Sequence, residues 1–167
     1  MAHESRLRRE LRALLQGQRV AALGTLCANG APLVSMVPFA IEPGRACVVI
    51  HVSSLAAHTG NLQSAPTVSL LVMRAETRDE PVHALPRVTL EGQAAVLLRG
   101  SAEWQACGAV YLQRFPEAEP MTHLDDFMFV AIHITAARQV AGFGAARSID
   151  TEELALLLRG EPHSGAD

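Results

Sequence analysis

Short apolar runs recur along the chain between clusters of turn-forming residues, and a helical period opens it. Leu7, Leu11, Leu14 and Leu15 fall on one face at helical spacing, with Ser5 placed to cap, so a first helix is expected to about Gly17. Residues 20–27 and 33–41 read as strands joined in a hairpin across Asn29-Gly30, and a Pro43-Gly44 turn leads into a strand at 46–52. A short helix carrying His58, Thr59 and Asn61 follows, stopped by Pro66, and the next strand is 67–73. Residues 74–86 are polar, acidic and bounded by proline, and read as a loop. A long strand at 87–98 holds Gly92 at its middle, where a bulge or close backbone approach is expected. Residues 101–115 are helical by pattern, 116–126 form a loop, and 127–141 alternate as the last strand. Asp150 caps a final helix, with Glu153 completing a capping box, before a disordered tail.

These elements predict a mainly β (α+β) domain with six strands and peripheral helices. The first strands are consecutive and hairpin-linked, so the sheet is expected to be antiparallel. Six strongly apolar strands in one small domain favour a closed or nearly closed barrel over an open sheet. The barrel domain is expected over residues 1–147, and the final helix and tail over 148–167.

Composition narrows the chemistry. The chain has 167 residues, enough for one cored domain, and 49% of them are hydrophobic, which hints at an apolar surface buried in an oligomer. The net charge of −3 offers no basic field for nucleic acid. Arg6, Arg8, Arg9 and Arg12 read as a solvated helix face. All 14 Lys-or-Arg positions are arginine, which excludes a Walker-type phosphate lysine, a lysine Schiff base and a Ser–Lys dyad. Cys27, Cys47 and Cys107 are widely spaced in apolar surroundings, as expected of free thiols in a reducing compartment. The start of the chain is charged, with no apolar signal core. Residues 20–41 lack charge, but Asn29, Gly30, Pro32 and Pro38 interrupt them, so a hairpin fits better than a membrane span. The expectation is a cytoplasmic protein with neither membrane nor nucleic-acid partner.

No catalytic triad emerges: Ser35, Ser53, Ser54 and Ser69 lack a nucleophile elbow, and no histidine pair has metal-ligand spacing. The richest stretch is 48–72, where polar side chains gather as a strand hands over to a helix N-terminus, a place suited to an anion. The candidates are Ser35, His51, Ser53, His58, Thr59, Asn61 and Arg87. The plainer alternative is that Ser53 or Ser54 caps the helix, Thr59 and Asn61 face solvent, and Arg87 opens an exposed strand. Asp125 and Asp126 read as turn formers. Gly142-Phe143-Gly144 is open between a strand-ending turn and a backbone approach to a planar ligand.

Five segments in order (30–39, 53–62, 66–72, 85–92 and 142–146) resemble the pyridoxamine 5'-phosphate oxidase-like, FMN-binding split-barrel proteins. The likeness is to the branch that includes haem-utilisation proteins. It implies a six-stranded split barrel, a homodimer, and FMN held between subunits. By position, Ser35 falls where the oxidases place a phosphate-binding arginine, His58 where they place a lysine, and Arg87 where a glutamine meets the flavin. His51, Val52 and Ser53 match the strand end that lines the ring, and Met36, Val37 and Pro38 would add backbone contacts. Haem-degrading relatives use a histidine near the C-terminus as iron ligand, for which only His163 could serve here. The expected function is therefore FMN binding with flavin-dependent oxidoreduction of an unknown small molecule and no side chain assigned as acid or base. One alternative is a haem-binding or haem-degrading protein, and another is a non-enzymatic flavin-binding dimer.

Overall fold

The computed structural model describes residues 5–160. Helix α1 (Arg6–Gly17) starts where Ser5 accepts the backbone N–H of Arg8 at 3.3 Å. Leu11, Leu14 and Leu15 are buried beneath it, and so is Arg8 at 3% exposure, which corrects the reading of that arginine as solvated. Strands β1 (Val20–Leu26) and β2 (Pro32–Pro38) form the expected hairpin, with Gly30 in the left-handed region at φ 81°.

The run expected as a single strand at 33–41 breaks at Phe39. The Phe39 N–H still donates to Arg19 O at 3.1 Å beside the start of β1, and the Phe39 ring turns into the core at 1% exposure. Strand β3 (Ala40–Glu42) then leaves β1 and pairs with β4 (Cys47–Ser53). Beyond helix α2 (Ala57–Ser64) come β5 (Thr67–Met73), β6 (Arg87–Val96), helix α3 (Ala102–Arg114), the short helix α4 (Glu119–Thr122) and β7 (Phe127–Val140). A further strand, β8 (Ala146–Ile149), pairs with β7, and α5 (Thr151–Arg159) follows.

All pairings are antiparallel, in the order β2-β1-β5-β6-β7-β4-β3 with β8 beside β7. The two end strands of that path, β2 and β3, are consecutive in the chain through Phe39, so the sheet curls round on itself. Among the described residues eight strands replace the six expected: one expected strand is divided at Phe39, and β8 is too short and polar to carry a pattern. The loop expected at 116–126 contains α4. Gly142-Phe143-Gly144 is a turn between β7 and β8, with Ala141 N–H donating to Ala145 O at 3.0 Å.

Leu23, Ile50, Leu70, Leu90 and Ile132 fill the inside of the curl, closed by leucines of α1 and α5. A second core lies on the other face of β4 and β7, where Cys47, Val49 and Phe129 meet Cys107 and Tyr111 of α3. Asp150 caps α5 through the Glu153 N–H at 2.7 Å, but the Glu153 carboxylate does not complete a capping box. Both of its oxygens take Arg147 at 2.7 Å instead. Among the described residues no helix is long and apolar enough to cross a membrane. The expected disordered tail and His163 lie outside the described residues.

Candidate functional site

The turn from β4 into α2 is built by its own polar side chains. Ser53 Oγ donates to Asp126 Oδ2 at 3.2 Å and accepts the Leu55 N–H at 3.2 Å, while Ser54 N–H donates to Asp126 O at 2.7 Å. Asp126, read from sequence as a turn former, thus anchors the strand end. Thr59 is fully buried and its hydroxyl donates to Ser53 O at 2.6 Å. Asn61 Nδ2 donates to Thr25 Oγ1 at 3.1 Å and lies 3.5 Å from Cys27 Sγ, fastening α2 to β1. Neither side chain faces solvent, as the plainer sequence reading had it.

Nor does a serine cap α2. Its N-cap is Ala56, which provides no side-chain oxygen, so the helix presents an uncapped N-terminus. Beside it the His58 Nδ1 and Ser35 Oγ atoms are 2.9 Å apart, and burial lowers the His58 pKa. Burial thus disfavours the charged form of this imidazole. A phosphate dianion here would meet a hydroxyl, an imidazole whose charged form burial disfavours, and backbone donors, with no lysine or arginine among these contacts. That is a poor fit for FMN, because charge-assisted bonds are about twice as strong as neutral ones.

The remaining candidates are distributed over other faces. Val37 and Val52 are core residues at 2% and 3% exposure. His51 lies on the α3 side of β4, with its ring centroid 4.4 Å from that of Phe129 and 5.7 Å from that of Tyr111. Burial first, and Arg99 second, push its pKa down to about 4. Met36 and Pro38 belong to β2, where Met36 is 65% exposed. Arg87 opens β6 opposite Met73, and its Nη1 donates to Leu85 O at 3.0 Å and His83 O at 3.4 Å.

The register reveals a second feature, on the outside of the curl. Met36, Ala22, Leu71, Thr89 and Arg138 stand side by side across β2, β1, β5, β6 and β7. Small Ala22 leaves a trough of about 390 Å³ between Met36 and Leu71, with Val34 and Met73 on its rim. This band is apolar over three strands and then turns polar, with the exposed cation Arg138 at its end and Arg87 on the same face. Sequence reasoning missed Arg138, Thr25 and the trough. The available signal was that β2 is apolar at both alternations, the mark of a strand covered on both faces.

The profile of the family described as pyridoxamine 5'-phosphate oxidase matches residues 7–141. The chain belongs to the pyridoxamine 5'-phosphate oxidase family. Within this family it is 30% identical over 152 residues to the haem oxygenase HutZ of Vibrio cholerae, covering 90% of this chain and 85% of that one. It is 32% identical over 152 residues to the chloroplastic non-canonical haem oxygenase HOZ of Arabidopsis thaliana, where it covers 87% of this chain but 45% of the relative. A solved haem-binding protein from Mycobacterium smegmatis superposes with a TM-score of 0.81 at 28% identity, over 93% of this chain and 62% of that one. The chain thus spans less than two thirds of two of these relatives. The family fold, a split barrel of antiparallel strands with peripheral helices, is the one described above, and the likeness lies in the haem-utilisation branch.

Proposed function

We propose that the protein binds haem on the outer band of β2, β1, β5 and β6 and acts on it oxidatively as a haem oxygenase-type enzyme. The observation that carries this reading is the row from Met36 to Arg138, apolar over three strands and ending in a cation, with Arg87 on the same face. Haem has matching chemistry: a flat apolar macrocycle with two carboxylates on one edge. Burying the macrocycle removes apolar surface from water on both sides, and Arg87 and Arg138 supply charged donors for the carboxylates. The names of the relatives support the same ligand, and the α2 turn, with no lysine or arginine beside Ser35 and His58, offers a phosphate only weak donors. Oxidative opening of the macrocycle would draw dioxygen and electrons from an external donor, while the protein holds the plane and screens it from bulk water.

A second copy of the chain is the proposed cover for this face, so that haem would lie between two outer bands. Val34 at 69% and Met36 at 65% exposure are large apolar side chains with little else to bury them. Three unpaired cysteines suit a reducing compartment.

Hemin titrated into the purified protein is expected to give a saturable Soret change, and the double variant R87Q/R138Q to weaken binding at least tenfold while remaining folded. With an electron donor and dioxygen the Soret band should then decay. Tight retention of FMN together with unsaturable hemin uptake would return the assignment to a flavoprotein.

A further inference from the structure

The outer band holds a second depression beside the apolar trough. It encloses about 290 Å³ between β1, β2, β5 and β6, and Leu26, Pro32, Ser69 and Glu91 are among the residues that line it. Val34, Gly24, Ser69, Glu91 and Ala136 stand in register as the row next to that of Met36, Ala22, Leu71, Thr89 and Arg138. Corresponding members of the two rows are two residues apart on each strand, so both rows share the outer face. Leu26 and Pro32 keep one side of the depression apolar, and Glu91 is exposed at the other.

Charge changes sign along this face. Arg87 opens β6, Arg138 lies one row further along on β7, and Glu91 follows one row beyond that. Strands β2, β1, β5, β6 and β7 contain no other carboxylate. Leu90 and Gly92 on either side of Glu91 are buried, so the side chain at 91 is directed outward. The hydrogen bond that Thr135 Oγ1 donates to Glu91, at 3.3 Å, uses the backbone carbonyl and leaves the carboxylate on the face. From Arg87 to Glu91 the strand rises roughly 14 Å at the ordinary spacing, a length comparable with that of a haem macrocycle and its carboxylates.

Building on the haem reading above, we propose that Glu91 makes this face selective for iron porphyrins whose carboxylates all lie on one edge. That edge is drawn to Arg87 and Arg138. The opposite edge, which in haem carries vinyl groups, lies along Leu26 and Pro32 beside Glu91. A porphyrin with carboxylates on both edges would set one of them against Glu91 however it is turned in its plane. Like charges brought together at a partly desolvated surface repel, and this repulsion rejects the wrong partner. Glu91 thus determines specificity at the same site without taking part in the chemistry.

Iron(III) coproporphyrin III tests this, because it is haem with both vinyl groups replaced by propionates. Spectroscopic titration of the full chain is expected to show it binding about tenfold more weakly than hemin. Glu91 is exposed, so E91Q should stay folded. E91Q should bring the two affinities within about twofold of each other, whereas E91D, which keeps the charge, should preserve the gap. Higher salt screens charge at an exposed site and should narrow the gap in the parent. Absence of a gap in the parent, or a gap that E91Q leaves unchanged, would overturn the proposal while leaving haem on the outer band. Hemin uptake that never saturates would remove that reading and this inference with it.

Discussion

His58 shows how one side chain decides what the α2 turn can hold. Burial disfavours its charged form, and Ser35 takes up Nδ1. A lysine there would place a charge beside the uncapped helix end. H58K should therefore tighten FMN binding about tenfold, worth about 1.4 kcal/mol, as read by quenching of flavin fluorescence. An unchanged affinity would mean that this turn does not face the phosphate. His51 makes a different prediction. Its pKa lies below the ordinary 6.5, at about 4, so the unfolded chain takes up the proton first as pH falls. The stability it contributes is full above about pH 6.5 and drains away between about 6.5 and about 4. Melting temperatures across that window should fall in the parent and fall less steeply in H51F, whose ring suits the surrounding Phe127 and Phe129.

Two glycines in different elements should respond in opposite directions. Gly92 sits at the register shift in β6, and a Cβ there would come within 2.6 Å of the His133 carbonyl oxygen. That neighbour is backbone and cannot swing aside, so G92A should destabilise by about 1–3 kcal/mol. Gly60 lies within α2 with nothing within 4 Å of an added Cβ. G60A should stabilise by about 0.5–1 kcal/mol through helix propensity alone. Urea unfolding of the two variants measures both. Gly92 was legible from sequence as a bulge or close approach, because a glycine inside an apolar strand has few other uses. The break at Phe39 was less legible, because an unbroken apolar run does not say where the chain passes from one partner strand to another.

For the molecule as a whole, the outer face decides association. If a second copy covers Val34 and Met36, the parent should sediment as a dimer and V34E/M36E as a folded monomer with weakened hemin binding. A monomeric parent would remove the second copy from the proposed site. The same curl that exposes this face also separates the residues gathered from sequence. Ser35 and His58 meet on one side, His51 turns under α3, and Arg87 points outward beside Met73. Their nearness in motif order carries no information about which face of a strand each occupies once the sheet bends.

Local patterning determined the helices with hydrophilic caps, the Asn-Gly hairpin and the antiparallel character of the sheet, because each depends on neighbours a few residues apart, and composition alone excluded lysine chemistry. Tertiary structure alone decided that Arg8 is buried, that Glu153 serves Arg147 instead of its own helix end, and that Asp126 anchors Ser53. It alone assembled the row from Met36 to Arg138 across five strands. Register between strands distant in sequence is set by how two cores pack at once, and no short window of the chain contains that balance.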